Sequence, residues 1–538
     1  MFKNRFFRYL LALGVLSGCT TGGDKSSTSA TDWFSEYDAM TTGTPVQMLY
    51  GTQSDGYGTD LSTSDTYNMA VLLPLSGTNA SVGRTIRTSV EAAILQNAPK
   101  NLSVSFYDTN DNLSEQMPTI LATQPEVILG PVFSADTRLV KQSRTSDIPV
   151  LSFTSDATVL GDGVMTMALM PTNGIETIIQ EMQIDGVQNF IVMAPDTDSG
   201  HLMAGAAKSA SEIYNIPLSG IFYYKEKDTD SIKSAALSAS MNNARTSAHT
   251  RARQVLSDIL INEKLTSLEK SNLNRQLTKL SRTETLGPVP YNAILFLGGG
   301  DDTQALTSFL RYYNVGASDA RLYGTTMWEG SNIASDFTMS GAKYATMPDT
   351  NPTFSNTYSL ISGTPPNRLA TFGYDATNFA IGMIYSNKST AAYLLNPSGY
   401  LGTDGLFRIH PNGASERALR IVELDASGTP RLVKDAPNNF LEPLYNIQQN
   451  HITPAPSMEL QTSGIDPDNY ITIPDRYRFK YRSKTLGANT TAAPVVQKSE
   501  LITIMPEEDG DAIRAENYTP VKLERVGRSY IEEYEIYE

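Results

Sequence analysis

The 538-residue chain holds one thiol, Cys19. It follows Leu16-Ser17-Gly18, and ahead of these an apolar run from Tyr9 to Leu16 is preceded by Lys3, Arg5 and Arg8. A basic start, a short apolar stretch and small residues before the cleavage point make a signal peptide over residues 1–18. The run is too short to span a bilayer stably. A cysteine at this place can accept a diacylglyceryl group and become the mature N-terminus, and Leu16-Ser17-Gly18-Cys19 looks like a bacterial lipobox. The plainer alternative is an ordinary signal peptide beside an incidental thiol; the uniqueness of Cys19 weighs against it.

Other reactive residues form no constellation. His201, His249, His410 and His451 are the only histidines, and no two stand at a spacing that would bring both imidazoles to one metal. With no further thiol, thiolate metal sites and cysteine nucleophiles are excluded. Gly298-Gly299-Gly300-Asp301-Asp302 has neither the Lys-Ser/Thr of a phosphate loop nor the Gly-x-Gly-x-x-Gly spacing. It reads as a tight strand-to-helix turn with Asp301 or Asp302 as helix cap. No Gly-x-Ser-x-Gly elbow occurs, and Asp196 with Asp198 is the kind of carboxylate pair that turns commonly carry. The sequence therefore calls for no metal and no cofactor, and binding rather than catalysis is the leading class.

Several elements must position such a binding surface. Stability has to come from a packed core, because a chain whose one cysteine carries lipid can form no internal disulfide. An apolar content of 40% with 9% aromatics supports such a core. A formal charge of −15 argues against nucleic acid as a partner, since phosphate binding needs basic surface. Residues 20–65 are rich in Ser, Thr, Gly and Asp and read as a flexible tether. The body then alternates apolar strands (68–73, 102–107, 127–129, 150–153, 189–193, 221–224, 293–297, 321–324 and 342–346) with helices such as 81–96 and 303–313, the pattern of βαβ units in a largely parallel sheet. The pattern restarts after Pro171, which predicts two α/β lobes with a cleft between them. Ligands sit at the carboxyl ends of parallel strands, where helix N-termini offer free N–H groups.

Two segments stand apart. Residues 228–285 carry Val255, Ile259, Leu265, Leu268, Leu273, Leu277 and Leu280 at helical spacing; this insertion either packs onto its own lobe or serves as a docking arm for a protein partner. Beyond residue 440 the chain becomes Pro-rich and polar, a poorly structured C-terminal tail ending in the acidic, aromatic stretch from Tyr530 to Glu538, expected to be disordered. Within the tail, Arg476-Tyr477-Arg478-Phe479-Lys480-Tyr481-Arg482 read as a strand would place its cations on one face and its rings on the other. That basic stripe is either the solvated face of an edge strand or a contact for an anionic partner or envelope polymer.

Three segments, Ala70-Val71-Leu72-Leu73-Pro74-Leu75-Ser76-Gly77, Ile128-Leu129-Gly130-Pro131-Val132-Phe133-Ser134 and Ile148-Pro149-Val150-Leu151-Ser152-Phe153-Thr154-Ser155-Asp156, resemble the first lobe of leucine-binding-type receptors. The implied fold is type I periplasmic-binding-protein-like, with two doubly wound lobes and an interlobe cleft. The stretches 285–294, 322–328, 369–376 and 399–408 are more similar to the penicillin-binding protein activator lipoproteins. The likeness covers about residues 66–440: lobe 1 at about 66–172 and 349–395, lobe 2 at about 173–348 and 396–440, with the C-terminal extension at 441–538. It implies candidate cleft residues Ser76, Ser134, Thr154 and Ser155, each equally a cap or turn residue, and the aromatics Trp328 and Tyr374, equally core. Receptors carry an acidic residue and Tyr-Gly after the strand at 189–193; here Ser199-Gly200 stands there, removing a ligand-facing ring. The resemblance thus implies a non-catalytic envelope lipoprotein that binds and regulates a bifunctional penicillin-binding protein, or another envelope protein. The alternative is a receptor of a branched-chain-amino-acid-type ABC importer, holding a small polar ligand in the cleft. Thr20, where Asp would signal inner-membrane retention, points to the periplasmic face of the outer membrane.

Overall fold

A computed structural model describes residues 47–48, 66–98, 100–145, 147–331, 333, 336–386, 390–440, 452–460, 465–486, 523–526 and 529–532. The signal peptide, Cys19, nearly all of the tether and His451 lie outside the described residues. After a two-residue strand β1 (Gln47–Met48), the body opens with β2 (Tyr67–Leu73), α1 (Ala80–Asn97), β3 (Leu102–Asp108), α2 (Leu113–Ala122), β4 (Val127–Leu129), α3 (Ser134–Ser143), β5 (Val150–Ser152) and β6 (Val164–Thr166). These strands form a parallel sheet in the order β3-β2-β4-β5-β6. Met69 through Leu73 are buried without alternation, as a parallel strand covered on both faces requires.

A second set follows: α4 (Ile175–Ile184), β7 (Phe190–Pro195), α5 (Asp198–Ile213), β8 (Leu218–Tyr224), α6 (Thr229–Ala239), α7 (Asn242–Asn262), α8 (Ser267–Leu280), β9 (Ala293–Phe296), α9 (Gly300–Tyr312), β10 (Arg321–Gly324) and β11 (Lys343–Thr346). The chain then adds α10 (Pro352–Ser362) and α11 (Arg368–Tyr385), which pack on α1 of the first lobe, and a short α12 (Thr390–Leu394). Strands β12 (Tyr400–Gly402), β13 (Gly405–Ile409) and β14 (Ser415–Arg417) join β1 in a small separate sheet. Finally β15 (Arg420–Leu424) and β16 (Pro430–Lys434) extend the second sheet, whose order is β16-β15-β11-β10-β9-β7-β8. Its β8 to β11 part is parallel, and β15 and β16 are antiparallel. The chain therefore passes between the two sheets three times, at 167–174, 347–351 and 395–419.

The strands read from sequence are present with small shifts at their ends. Of the insertion, α6 packs against α9 in the second lobe's helical layer, and α7 and α8 form the projecting arm. The stripe at 476–482 is not a strand: it lies in α13 (Asp475–Leu486). Spacing of four residues puts Tyr477 and Tyr481 together against the arm's apolar cluster of Val255, Ile259, Leu273 and Leu280. The same spacing aligns Arg476, Lys480 and Lys484 with Glu269, Glu263 and Asp258 of the arm. A chain segment with alternating cations and rings suits either geometry alone; these tertiary partners select the helix.

Between body and arm, residues 452–460 run along the outer strand of the second sheet. Ile221 and Met458 exchange N–H to carbonyl bonds of 2.8 and 3.0 Å, which covers part of an edge that would otherwise template association. Helix α5 lets the strap approach through Gly205, where an added Cβ would lie 2.1 Å from the Thr453 carbonyl oxygen. A separate unit, Leu486–Glu538, contains the antiparallel hairpin of β17 (Leu523–Val526) and β18 (Ser529–Glu532) among its described residues. Replacing Gly205 by Ala should lift the strap and speed hydrogen exchange at the Ile221 and Met458 amides by roughly tenfold, while core amides of β9 keep their protection. Unchanged exchange at both amides would show that the strap does not depend on this close approach.

Candidate functional site

In each lobe the strand order reverses once, between β2 and β4 and between β7 and β9, and ligands of such sheets bind beyond the carboxyl ends at that reversal. In the first lobe these ends are the 74–77 loop after β2 and the 130–134 loop after β4. The Asp108 carboxylate, at the end of β3, already accepts the Leu75 amide at 2.9 Å and the Asn110 amide at 3.1 Å. Burial pushes Asp108 upward, but the Ser76 hydroxyl and the amides of Asn110, Leu75 and Ser76 outweigh it and hold the carboxyl below its usual range. Asn110 Nδ2 donates to the Ser76 carbonyl at 2.6 Å. The exposed Ser76 is thus part of a loop held by the chain's own carboxylate.

A second aspartate does the same beside β5. The Thr154 amide donates to Ser152 Oγ at 3.1 Å, and Thr154 Oγ1 accepts the Asp156 amide at 3.2 Å. Asp156 in turn caps a short 3-10 turn, accepting the Thr158 amide at 2.9 Å and hydroxyl at 2.7 Å. Its carboxyl is raised by burial and lowered further by Thr158, Arg138 and the Ser134 hydroxyl, ending below its ordinary value. Ser134 opens α3, and Asp136 in that first turn is pushed up by burial. Thr154 is buried and Ser155 exposed. The first-lobe edge therefore brings Ser76, Ser134, Thr154 and Ser155 to the ends of neighbouring strands, but with Asp108, Asp136 and Asp156 among them. A ligand carboxylate placed there would meet like charge, and several of the N–H and O–H donors it needs are already engaged.

The second-lobe edge is closed in a different way. Thr197, not Ser199, caps α5, accepting the Gly200 amide at 3.0 Å, and Ser199 is exposed in the first turn. The loop after β9 passes beneath Tyr224: a Cβ on Gly298 would stand 1.8 Å from the tyrosine oxygen. Gly299 caps α9, so neither Asp301 nor Asp302 is the cap; both lie in the first turn, and Asp302 accepts the Lys227 amide at 3.2 Å. His201 bridges Asp196, at 2.9 Å, and the Ala455 carbonyl, at 3.0 Å, with its ring 3.9 Å from that of Tyr223. It fastens the strap rather than facing a ligand. Trp328 is core, 1% exposed between Phe296 and Tyr344, and Tyr374 is buried against Phe354 with its hydroxyl donating to Gln96 at 2.6 Å. The structure does not bring either ring to the first-lobe hydroxyls. Among the described residues no group of three or more His, Cys, Asp or Glu could hold a metal, and no helix is long and apolar enough to cross a membrane.

Sequence reasoning missed the polar knot at the three crossings. Arg417, at the end of β14, is buried; it donates to the Met167 carbonyl at 2.9 Å, and its backbone pairs with the Asn173 amide side chain. Its guanidinium lies 4.4 Å from the Phe372 ring centre and 3.9 Å from Asp375 Oδ2. Asp375 accepts the Thr403 amide and hydroxyl, and Asp404 pairs with Arg368, which also holds Glu329 and the Met347 carbonyl. One network thus ties all three interlobe passages together. Only the charged residues inside the otherwise apolar segments around 375 and 417 could have signalled it.

Residues 59–228 match the family model described as LppC putative lipoprotein. The match takes in the first lobe's sheet and the strands β7 and β8 of the second. An uncharacterized protein of Rickettsia prowazekii (strain Madrid E), RP748, is 24% identical over 177 residues, 32% of this chain and 47% of that one, so the match spans about half the length of that curated relative. Among solved structures, a chain from Rhodospirillum rubrum named "a putative branched-chain amino acid ABC transporter" has 16% identity and a TM-score of 0.51, covering 68% of this chain and 100% of the other. The fold is that of the type I periplasmic binding proteins. The C-domain of LpoA (YraM) from Haemophilus influenzae, described as a regulator of PBP1A, has 17% identity and a TM-score of 0.47 over 68% of this chain and 99% of its own.

Burial first, partly countered by Arg417 and reinforced by Asp404, raises the Asp375 carboxyl to about 7. The unfolded chain releases this proton near pH 4, so between about 4 and 7 the folded form holds a proton that the unfolded form has lost. Asp375 therefore subtracts stability as pH rises through that window and nothing further above it. Asp375→Asn should gain stability relative to the parent chain from pH 4 to 7, by on the order of a few kcal/mol, on top of any fixed cost. Denaturation curves across this range check it; a pH-independent difference would contradict it.

Proposed function

We propose that the protein is a non-catalytic lipoprotein of the bacterial cell envelope whose two-lobed body binds a peptidoglycan synthase, a bifunctional penicillin-binding protein, and biases its conformation. The LppC match over residues 59–228 supports the lipoprotein class, and lipid on Cys19 would hold the body on the periplasmic side, at the outer membrane. The observation that carries the reading against a transport receptor is the first-lobe edge. Asp108 and Asp156 occupy donors that a receptor would keep open for an amino-acid carboxylate, and a carboxylate brought beside them is repelled rather than held. A body with a receptor's lobes but no open carboxylate seat is suited to work through its outer surfaces, acting by differential affinity for two states of a partner.

The test is calorimetry on the chain lacking residues 1–19, titrated in parallel with a panel of amino acids and with the periplasmic region of the organism's bifunctional penicillin-binding proteins. Binding to a synthase without measurable amino-acid binding is expected. Micromolar amino-acid binding with no synthase contact would replace the proposal with that of a transport receptor.

A further inference from the structure

The arm and the helix clamped to it differ in charge from the rest of the molecule. Residues 242–285 and 465–486 together contain thirteen Lys and Arg and seven Asp and Glu, in a chain whose net charge is −15. Three of those acids, Asp258, Glu263 and Glu269, are turned inward and paired with Lys484, Lys480 and Arg476 of α13. Arg476 grips Glu269 with two bonds of 2.6 and 2.7 Å, and Tyr481 adds a second partner to Glu263 at 2.9 Å. Pairing on the inner side leaves cations in excess on the outer side, where Glu284 and Asp475 are the exposed carboxylates. Arg253, Lys264, Lys270, Arg275, Lys279 and Arg282 are exposed and, among the described residues, make no ion pair.

The outer cations are ordered. On α8, Leu268, Arg275 and Lys279 stand seven and then four residues apart, the spacing of one helix face, and Arg282 continues the line just past the helix end. This face is opposite Leu273 and Leu280, which are buried against α7 and α13. Leu268 is 71% exposed and Phe479, on the outward face of α13 beside Arg478, is 91% exposed. Single apolar side chains among arginines, with no continuous apolar face, do not make a helix that lies in a bilayer. They match the anchor-and-rim pattern of a protein interface, and guanidinium groups favour carboxylates by bidentate pairing.

We propose that this outer face of α8, Leu268, Arg275 and Lys279 with Arg282 just beyond it, is a docking surface for an acidic patch on a periplasmic protein partner. The inference rests on the function proposed above and assigns the contact to the arm rather than to the lobes. Docking on a basic arm attached to an acidic body is oriented as well as attractive: an acidic partner is repelled by the lobes and drawn to the arm.

The experiment measures binding of the full mature chain to the periplasmic region of the organism's bifunctional penicillin-binding protein at several salt concentrations. The parent chain is compared with a triple variant, Arg275→Glu, Lys279→Glu and Arg282→Glu, and with Lys208→Glu, an exposed charge reversal on α5 outside the arm. Circular dichroism and thermal melting confirm that each variant is folded; Leu268→Ala, which removes no charge and trims an exposed side chain, provides a second arm variant. The expected result is a parent affinity that weakens with salt, a loss of at least about tenfold in the triple variant, a smaller loss in Leu268→Ala and less than about twofold in Lys208→Glu. Equal binding by the parent and both arm variants would overturn the arm assignment while leaving the functional reading in place. No synthase binding by the parent chain would remove both. Binding to vesicles of phosphatidylglycerol and phosphatidylethanolamine that the triple variant loses, with synthase binding unchanged, would overturn the assignment in favour of a lipid surface.

Discussion

An arginine cannot be left uncharged inside a protein, and burying one obliges the fold to supply acceptors around it. Arg417 is the place where this obligation shapes the molecule. Its partners come from all sides of the interlobe crossing: the Met167 carbonyl and Asn173 from the first passage, Asp375 and the Phe372 ring from α11, and Phe407 from the small sheet. Arg368, Asp404, Thr350 and the Asn351 amide extend the same network to the second passage. Among the described residues Arg417 Nε and Nη1 and Asp375 Oδ2 make no hydrogen bond, so the Arg417–Asp375 link is a charge contact at 3.9 Å; with the bonds to Met167, Asn173, Thr403 and Arg368 it joins the lobes as one network rather than by three independent strands of chain.

With the three passages so tied, the chemistry of the first-lobe carboxyl edge follows from local carboxylates. Asp108 and Asp156 stabilise the loops in which Ser76, Ser134, Thr154 and Ser155 lie, and in doing so use the donors that make such edges receptive to anions elsewhere. In the second lobe, Tyr224 over Gly298 and the Thr197 cap play the corresponding part. Donors at the strand ends of both lobes are engaged by the chain itself, and the arm braced by α13 carries more cations than acids.

Nine strands of the two large sheets were legible in the sequence because parallel strands buried on both faces leave short, uninterrupted apolar runs, such as Met69–Leu73 and Ala293–Phe296; β6 and the short antiparallel strands β12 to β16 were not. The hydroxyl residues at the first-lobe strand ends were legible for the same reason, since a turn must follow each run. The aspartates that engage them were not, because Asp108 is brought to Leu75 by the pairing of β3 with β2 across 33 residues of chain. Trp328 and Tyr374 illustrate the same limit: an aromatic near a strand end or on a helix does not say which face will be covered. In the tail, 476–482 fits a period of two and a period of four equally well, and the choice is made by Asp258, Glu263 and Glu269, more than 200 residues away.

The most direct test of the account is glycan polymerisation and peptide crosslinking by the organism's bifunctional penicillin-binding protein in liposomes, with and without the full lipidated chain at saturating concentration. A several-fold rise in either rate, with no turnover of peptidoglycan substrate by this chain alone, is the predicted result. Unchanged synthase rates at a concentration where the two proteins are bound would contradict a regulatory role, and turnover by this chain alone would contradict a non-catalytic one.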